Sequence, residues 1–175
     1  MVKKMKCMSN VLIVVIVSMS GVMAGEPSVM DLVKDKYITP ELMMTLPYRN
    51  CSTPQNAFLG FLRSNAEGNL RDYLFYLTPQ ARKAIAGVED ENAISDDRAR
   101  GFEEAFKKAG FRNFKLESFH IFPDTSPTQI VAVISSSRGR IAGKEQYDIG
   151  VVQTNGLWKF VSVGISPIER KPTTK

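Results

Sequence analysis

The stretch Lys144–Ile165, KEQYDIGVVQTNGLWKFVSVGI, decides the fold. Two runs rich in Val, Ile, Tyr, Trp and Phe flank Asn155-Gly156. That dipeptide accepts positive φ at both central positions of a two-residue turn, so it is a strong hairpin signal. The reading is two antiparallel strands, 144–154 and 157–165. Working back, Gly139 to Gly143 and Ser126-Pro127 mark two more turns, and the segments between them alternate with period two. They predict strands over 128–138 and 112–122. In the first of the four strands the phase breaks: Phe114 and Leu116 share one side, Phe119 and Ile121 the other. A β-bulge near Ser118 restores a common face.

Before Gly110 the period is 3.6. Thr53-Pro54 is a cap followed by a proline at the first helical position, where a missing N–H costs nothing. Ala57, Phe58, Phe61 and Leu62 mark the buried side of that helix, and Gly68 ends it. Leu70, Tyr73, Leu74 and Leu77 mark a second helix. Thr78-Pro79 repeats the cap and opens a third, running through Ile85. After an acidic loop over 87–95, Ser95 caps a fourth. Asp96 and Asp97 lie at the positive end of its dipole and Lys107 and Lys108 at the negative end. Ala99, Phe102, Phe106 and Ala109 form its stripe, and Gly110 closes it. Helices followed by an antiparallel meander give an α+β fold. The strands are apolar on both faces, as Ile130, Ala132 and Ile134 against Val131 and Val133 show. One face takes the helices; the other needs the sheet's curl, a second subunit or a ligand to cover it.

Residues 1–24 carry the three parts of a secretory signal. Lys3, Lys4 and Lys6 precede seven apolar residues, Val11 to Val17, and Val22-Met23-Ala24 offers a cleavage site. A membrane anchor needs about 20 apolar residues, more than this stretch supplies. The expectation is an exported protein, periplasmic or extracellular, with no transmembrane segment after cleavage. Residues 25–52 form a lead-in with a short helix over Met30–Tyr37; 53–166 form the α+β domain; 167–175 form a frayed tail. The signal holds three of the 23 lysines and arginines and no acid, so removing it lowers the formal charge from +5 to +2. That balance gives no case for a nucleic-acid partner, which needs a clustered basic face. Only Cys51 survives cleavage, so no intramolecular disulfide forms, and the thiol is expected in a loop with partial burial.

No spacing fits a metal site, a phosphate loop or a dinucleotide fingerprint, so no metal and no cofactor is expected. Ser135 to Ser137 lacks the glycines of a nucleophile elbow. His120, the sole histidine, can serve as a general base or simply face solvent. Asp72 with Tyr73 and Tyr76 has the types of an acid-and-phenol site. Tyr73, however, already belongs to the helix stripe, and Asp72 is expected to face water. Tyr147, Trp158 and Phe160 suit an apolar pocket or plain core. Asp148, between Tyr147 and Ile149, points to the opposite face from both. Arg138, Arg140 and Lys144 flank a turn and can meet an anion or simply be solvated.

The order of elements resembles the nuclear transport factor two-like superfamily of α+β cones. The likeness covers about residues 53–166. It rests on Thr53-Pro54 with Ala57-Phe58 and Phe61-Leu62, on Gly68-Asn69-Leu70, on Leu77-Thr78-Pro79 with Ala81-Arg82, and on Gly156-Leu157-Trp158-Lys159-Phe160. These are caps, core positions and turns, and no catalytic residue carries over. The resemblance implies a bent sheet around the first helix with a conical pocket between them. Phe61, Tyr73, Tyr76, His120, Tyr147 and Trp158 are the candidate ligand-binding residues. The expected function is a non-catalytic exported domain that binds a small apolar ligand or a protein partner, with a homodimer through the sheet as one form. The alternatives are a small lyase or isomerase using His120 or Asp72 with a tyrosine, and a structural envelope protein.

Overall fold

The computed structural model describes Met30, Val33 and residues 36–109, 114–136 and 143–168. Residues 1–24, where an export signal is expected, Gly110, the side chains of Phe106, Lys107, Lys108 and Ala109, Arg138 and Arg140, and residues 169–175 lie outside the described residues. Of the short lead-in helix expected over Met30–Tyr37, Met30 and Val33 are described and helical. The lead-in then adds a strand, β1 (Tyr37–Ile38), and a one-turn helix, α1 (Pro40–Met43). The helical layer is α2 (Pro54–Glu67), α3 (Leu70–Phe75), α4 (Pro79–Ala86) and α5 (Asp96–Ala109). A 3₁₀ turn, Glu91–Ala93, precedes α5. The sheet is completed by β2 (Phe114–Phe122), β3 (Thr128–Ser136), β4 (Gly143–Thr154) and β5 (Leu157–Ile168).

The caps act as their residue types dictate. The Thr53 hydroxyl accepts from the Asn56 N–H at 3.1 Å, and the Thr78 hydroxyl from Ala81 N–H at 3.3 Å. Gly68 and Gly87 close α2 and α4 at φ of 71° and 70°, a conformation that favours residues without a Cβ. Asn155 and Gly156 both have positive φ in the β4–β5 turn, as the hairpin reading requires.

The sheet is antiparallel throughout, in the order β1-β2-β3-β4-β5. Five strands replace the expected four, because Tyr37 and Ile38 pair with Lys115 and Phe114. Two residues of a Pro-punctuated segment are too few for a periodic signal, so this strand was invisible in the sequence. β5 also runs three residues past its expected end. The β2–β3 register shifts between Leu116 and Ser118, which places the bulge at Glu117 and returns Phe119 and Ile121 to the face of Phe114 and Leu116. A second bulge falls at Val161, where Val151 pairs with Phe160 while Gly150 pairs with Ser162.

The core lies between α2 and one sheet face. Phe58, Leu59, Phe61 and Leu62 of α2 are fully buried, as are Phe114, Ile130, Ala132, Ile149, Val151 and Phe160 of the sheet. Phe61 meets Phe160 edge-on at 5.2 Å, and Phe58 lies 5.1 Å from Phe119. Burying each such ring removes apolar surface worth about 1.5–3 kcal/mol. Leu77 bridges to Phe160, and the Trp158 and Phe160 N–H groups donate to the carbonyls of Cys51 and Tyr76. The first half of the outer edge of β5 is therefore occupied by the chain's own backbone.

Candidate functional site

Three rows of paired residues cross the helix-covered face of the sheet. They are Leu116–Ile134–Glu145–Pro167, Phe119–Ala132–Tyr147–Ile165 and Ile121–Ile130–Ile149–Val163. Residues opposite one another in an antiparallel pair project to the same side, so each row shares one face. Burial falls along the rows toward β5. Leu116, Ile134, Ala132, Tyr147, Ile130 and Ile149 are buried; Glu145 and Val163 are half-buried; Ile165 is 54% exposed. α2 covers the middle of the face, where Phe58 packs on Phe119 and meets Tyr147 edge-on at 6.5 Å. Beyond it, the half-buried Glu145 and Val163 and the exposed Ile165 and Pro167 form a floor beside the buried Tyr147.

Glu145 is the polar group of that floor. The Tyr147 hydroxyl donates to its Oε2 at 3.3 Å. Burial raises the Glu145 carboxyl above its ordinary range, with the Tyr147 hydrogen bond acting the other way. Burial also pushes the Tyr147 phenol up, reinforced by the carboxylate beside it. The pair is thus a neutral phenol next to an acid that holds its proton more readily than usual. It can donate and accept hydrogen bonds in a low-dielectric setting.

The expected ligand residues divide between locations. Phe61, Tyr73, Tyr76 and Tyr147 belong to one core: Phe61 contacts Tyr73 at 4.9 Å, Tyr73 contacts Phe102 at 5.7 Å, and Tyr76 stacks on Phe160 at 6.4 Å. Phe61 and Tyr76 are sealed inside it. Trp158 is half-buried at the far end of the same face, where Gln153 pairs with it. His120 is exposed on the opposite face, in a row with Val131 and Asp148. The bulge at Glu117 sets that orientation, since it fixes which side His120 takes. His120 is therefore on the other side of the sheet from Tyr147.

Asp72 does not face water; its side chain is 3% exposed. Arg49 Nε donates to Oδ1 at 2.8 Å, the Tyr48 hydroxyl donates to the same oxygen at 3.2 Å, and Asn69 Nδ2 donates to Oδ2 at 2.6 Å. The sequence missed this because the partner residues Tyr48 and Arg49 come from the lead-in, which carries no helical pattern. Arg49 takes φ 47°, an unusual conformation for a residue with a Cβ, and its N–H donates to the Tyr76 hydroxyl at 2.9 Å. Asp72 and Tyr76 thus pin the lead-in to the helical layer, and Asp72 has both oxygens engaged in doing so.

Cys51 is buried rather than partly exposed, at 2%. Desolvation raises its thiol pKa against the opposing pull of Lys159. Lys159 lies over the Phe75 ring at 3.6 Å and donates to the Phe75 carbonyl at 2.5 Å. Burial lowers its ammonium pKa, with the Arg82 charge acting in the same direction. On the outer face Ser135 Oγ donates to Glu117 at 2.7 Å, and Lys144 lies 3.7 Å from the same carboxylate. Ser135 and Lys144 are thereby tied into surface pairing. Among the described residues no group of three His, Cys, Asp or Glu side chains is placed to hold a metal. No helix among them is long and apolar enough to cross a membrane.

Comparison with known proteins gives no match to any family model, curated protein or solved structure.

Proposed function

We propose that the chain is an exported binding domain of the cone type that takes a small apolar ligand on the open end of its helix-covered sheet face. One observation carries this reading. Ile165 is 54% exposed although it shares a row with the buried Tyr147. An apolar face that continues past its helical cover is surface the fold leaves for something else. Export rests on the signal pattern of residues 1–24. The cone assignment rests on the order of helices and antiparallel strands. No catalytic role is given to His120 or Asp72: the first lies across the sheet from the site, and the second is consumed in binding Arg49 and Asn69.

A homodimer through the sheet is the partner reading that β5 favours. Among the described residues, its outer edge is covered by Cys51 and Tyr76–Thr78 as far as Phe160. Residues 161–168 carry no charge, and Val161 and Ile168 are exposed alongside Ile165. An uncharged free edge can pair antiparallel with its own copy about a two-fold axis.

The binding reading is tested with Nile red, a neutral apolar dye whose emission rises on transfer out of water. The wild-type protein is expected to bind it, and Ile165→Asp to weaken binding at least about fivefold, since a charge then sits in the floor. Equal binding by both proteins would remove the site from this face.

A further inference from the structure

Glu145 is a half-buried carboxylate on an otherwise apolar face. Its row neighbours are Leu116, Ile134 and Pro167, and the next row is Phe119, Ala132, Tyr147 and Ile165. Acidic residues in apolar surroundings are ordinarily paired with a cation. Here the partner among the described residues is a phenol, which gives its single proton to Oε2 and leaves Oε1 without a donor. The nearby lysines do not serve it. Lys115 and Lys144 lie on the opposite face, 3.8 and 3.7 Å from Glu117. The apolar part of the floor continues beside the carboxylate through Val163 and Ile165, and the ring of Tyr147 adjoins it. With no cation beside it among the described residues, a carboxylate set at the head of an exposed apolar strip is complementary to an amphiphile of positive charge.

We infer that the site takes an apolar cation, an alkyl- or arylammonium, with Glu145 as counter-ion and the Val163–Ile165 strip as the surface for its hydrocarbon part. This rests on the binding reading above and narrows it, because anionic amphiphiles such as fatty acids are then excluded by charge. Tyr147 holds the carboxylate in place through its hydroxyl, and the ligand ammonium takes the free oxygen.

The test is a titration of the full mature chain with three probes of equal length: hexylammonium, 1-hexanol and hexanoate. Methyl resonances of Val163 and Ile165 are followed by NMR in the wild type and in Glu145→Gln. Hexylammonium is expected to bind about tenfold more tightly than hexanol, the worth of one charge-assisted contact, and hexanoate more weakly than either. In Glu145→Gln the preference of hexylammonium over hexanol should vanish. Hexanol binding as tightly as hexylammonium, or a preference that survives in Glu145→Gln, overturns the cation assignment and leaves the apolar site standing. Failure of every probe to shift Val163 and Ile165 overturns both.

Discussion

Gly60→Ala tests the way the lead-in is locked to the helical layer. Gly60 lies inside α2, where alanine ordinarily gains about 1 kcal/mol in helix propensity. Here a Cβ would lie 2.0 Å from the Tyr76 hydroxyl oxygen, 2.6 Å from the ring carbon that bears it and 2.9 Å from the Pro47 carbonyl. Tyr76 is 1% exposed and cannot swing into solvent. Moving it also breaks the hydrogen bond from the Arg49 N–H, worth about 1 kcal/mol. The propensity gain and the lost hydrogen bond offset each other. What remains is overpacking against a rigid ring, at the upper end of the usual range, about 3 kcal/mol. Tyr76→Phe alone should cost about 1 kcal/mol, by leaving Arg49 N–H without its acceptor. In the double variant the hydroxyl is absent, so part of the clash disappears. The sum of the single losses should then exceed the double loss by about 1 kcal/mol. The assay is urea unfolding followed by Trp158, the one tryptophan, with equal m-values as the check on two-state behaviour. Additive losses within about 0.5 kcal/mol, or a stable Gly60→Ala protein, would refute the packing argument.

Other consequences are open to direct measurement. Thr53→Ala should destabilise the fold by about 1 kcal/mol through loss of the α2 cap, seen as a lower urea midpoint at unchanged m. The Glu145 carboxyl, raised above 4.5 by burial, holds its proton in the folded state at pH values where the unfolded chain has released it. Stability therefore falls as pH rises from the ordinary value through the raised one and stays lower above it. Glu145→Gln should be more stable than wild type at pH 7, with the advantage vanishing below pH 4.5; a constant difference across that window would contradict the burial of the carboxylate. Cys51, buried with a raised pKa, should react with a thiol reagent at neutral pH only on unfolding, so rapid labelling of the native protein would contradict its placement.

Local chemistry was legible where residues carry their own geometry. Thr53-Pro54, Thr78-Pro79 and Asn155-Gly156 specify caps and a turn within four residues, and the phase break around Ser118 marks the bulge in the sequence itself. Tyr37–Ile38 was not legible, because a two-residue strand is specified by the edge it pairs with and by nothing in its own pattern. Asp72 was misplaced for a related reason: its burial depends on Arg49, Tyr48 and Asn69 converging, and the first two lie more than 20 residues away. The candidate site was legible in part. Tyr147 stands out in the sequence as a strand aromatic, whereas Glu145 carries no motif of its own. It sits two residues from Tyr147 and so on the same face, and that spacing was the available signal. What the sequence could not supply was where α2 stops covering the sheet, a tertiary outcome that leaves Ile165 exposed and Ile149 buried.

The most direct test of the proposed binding role is native mass spectrometry of the purified protein, beside Ile165→Asp prepared the same way. The expected result is a retained small-molecule mass on the wild type that is lost from Ile165→Asp, with the subunit count read from the same spectrum. A bare wild-type chain, or an adduct carried equally by both proteins, would contradict a ligand on the open end of the sheet.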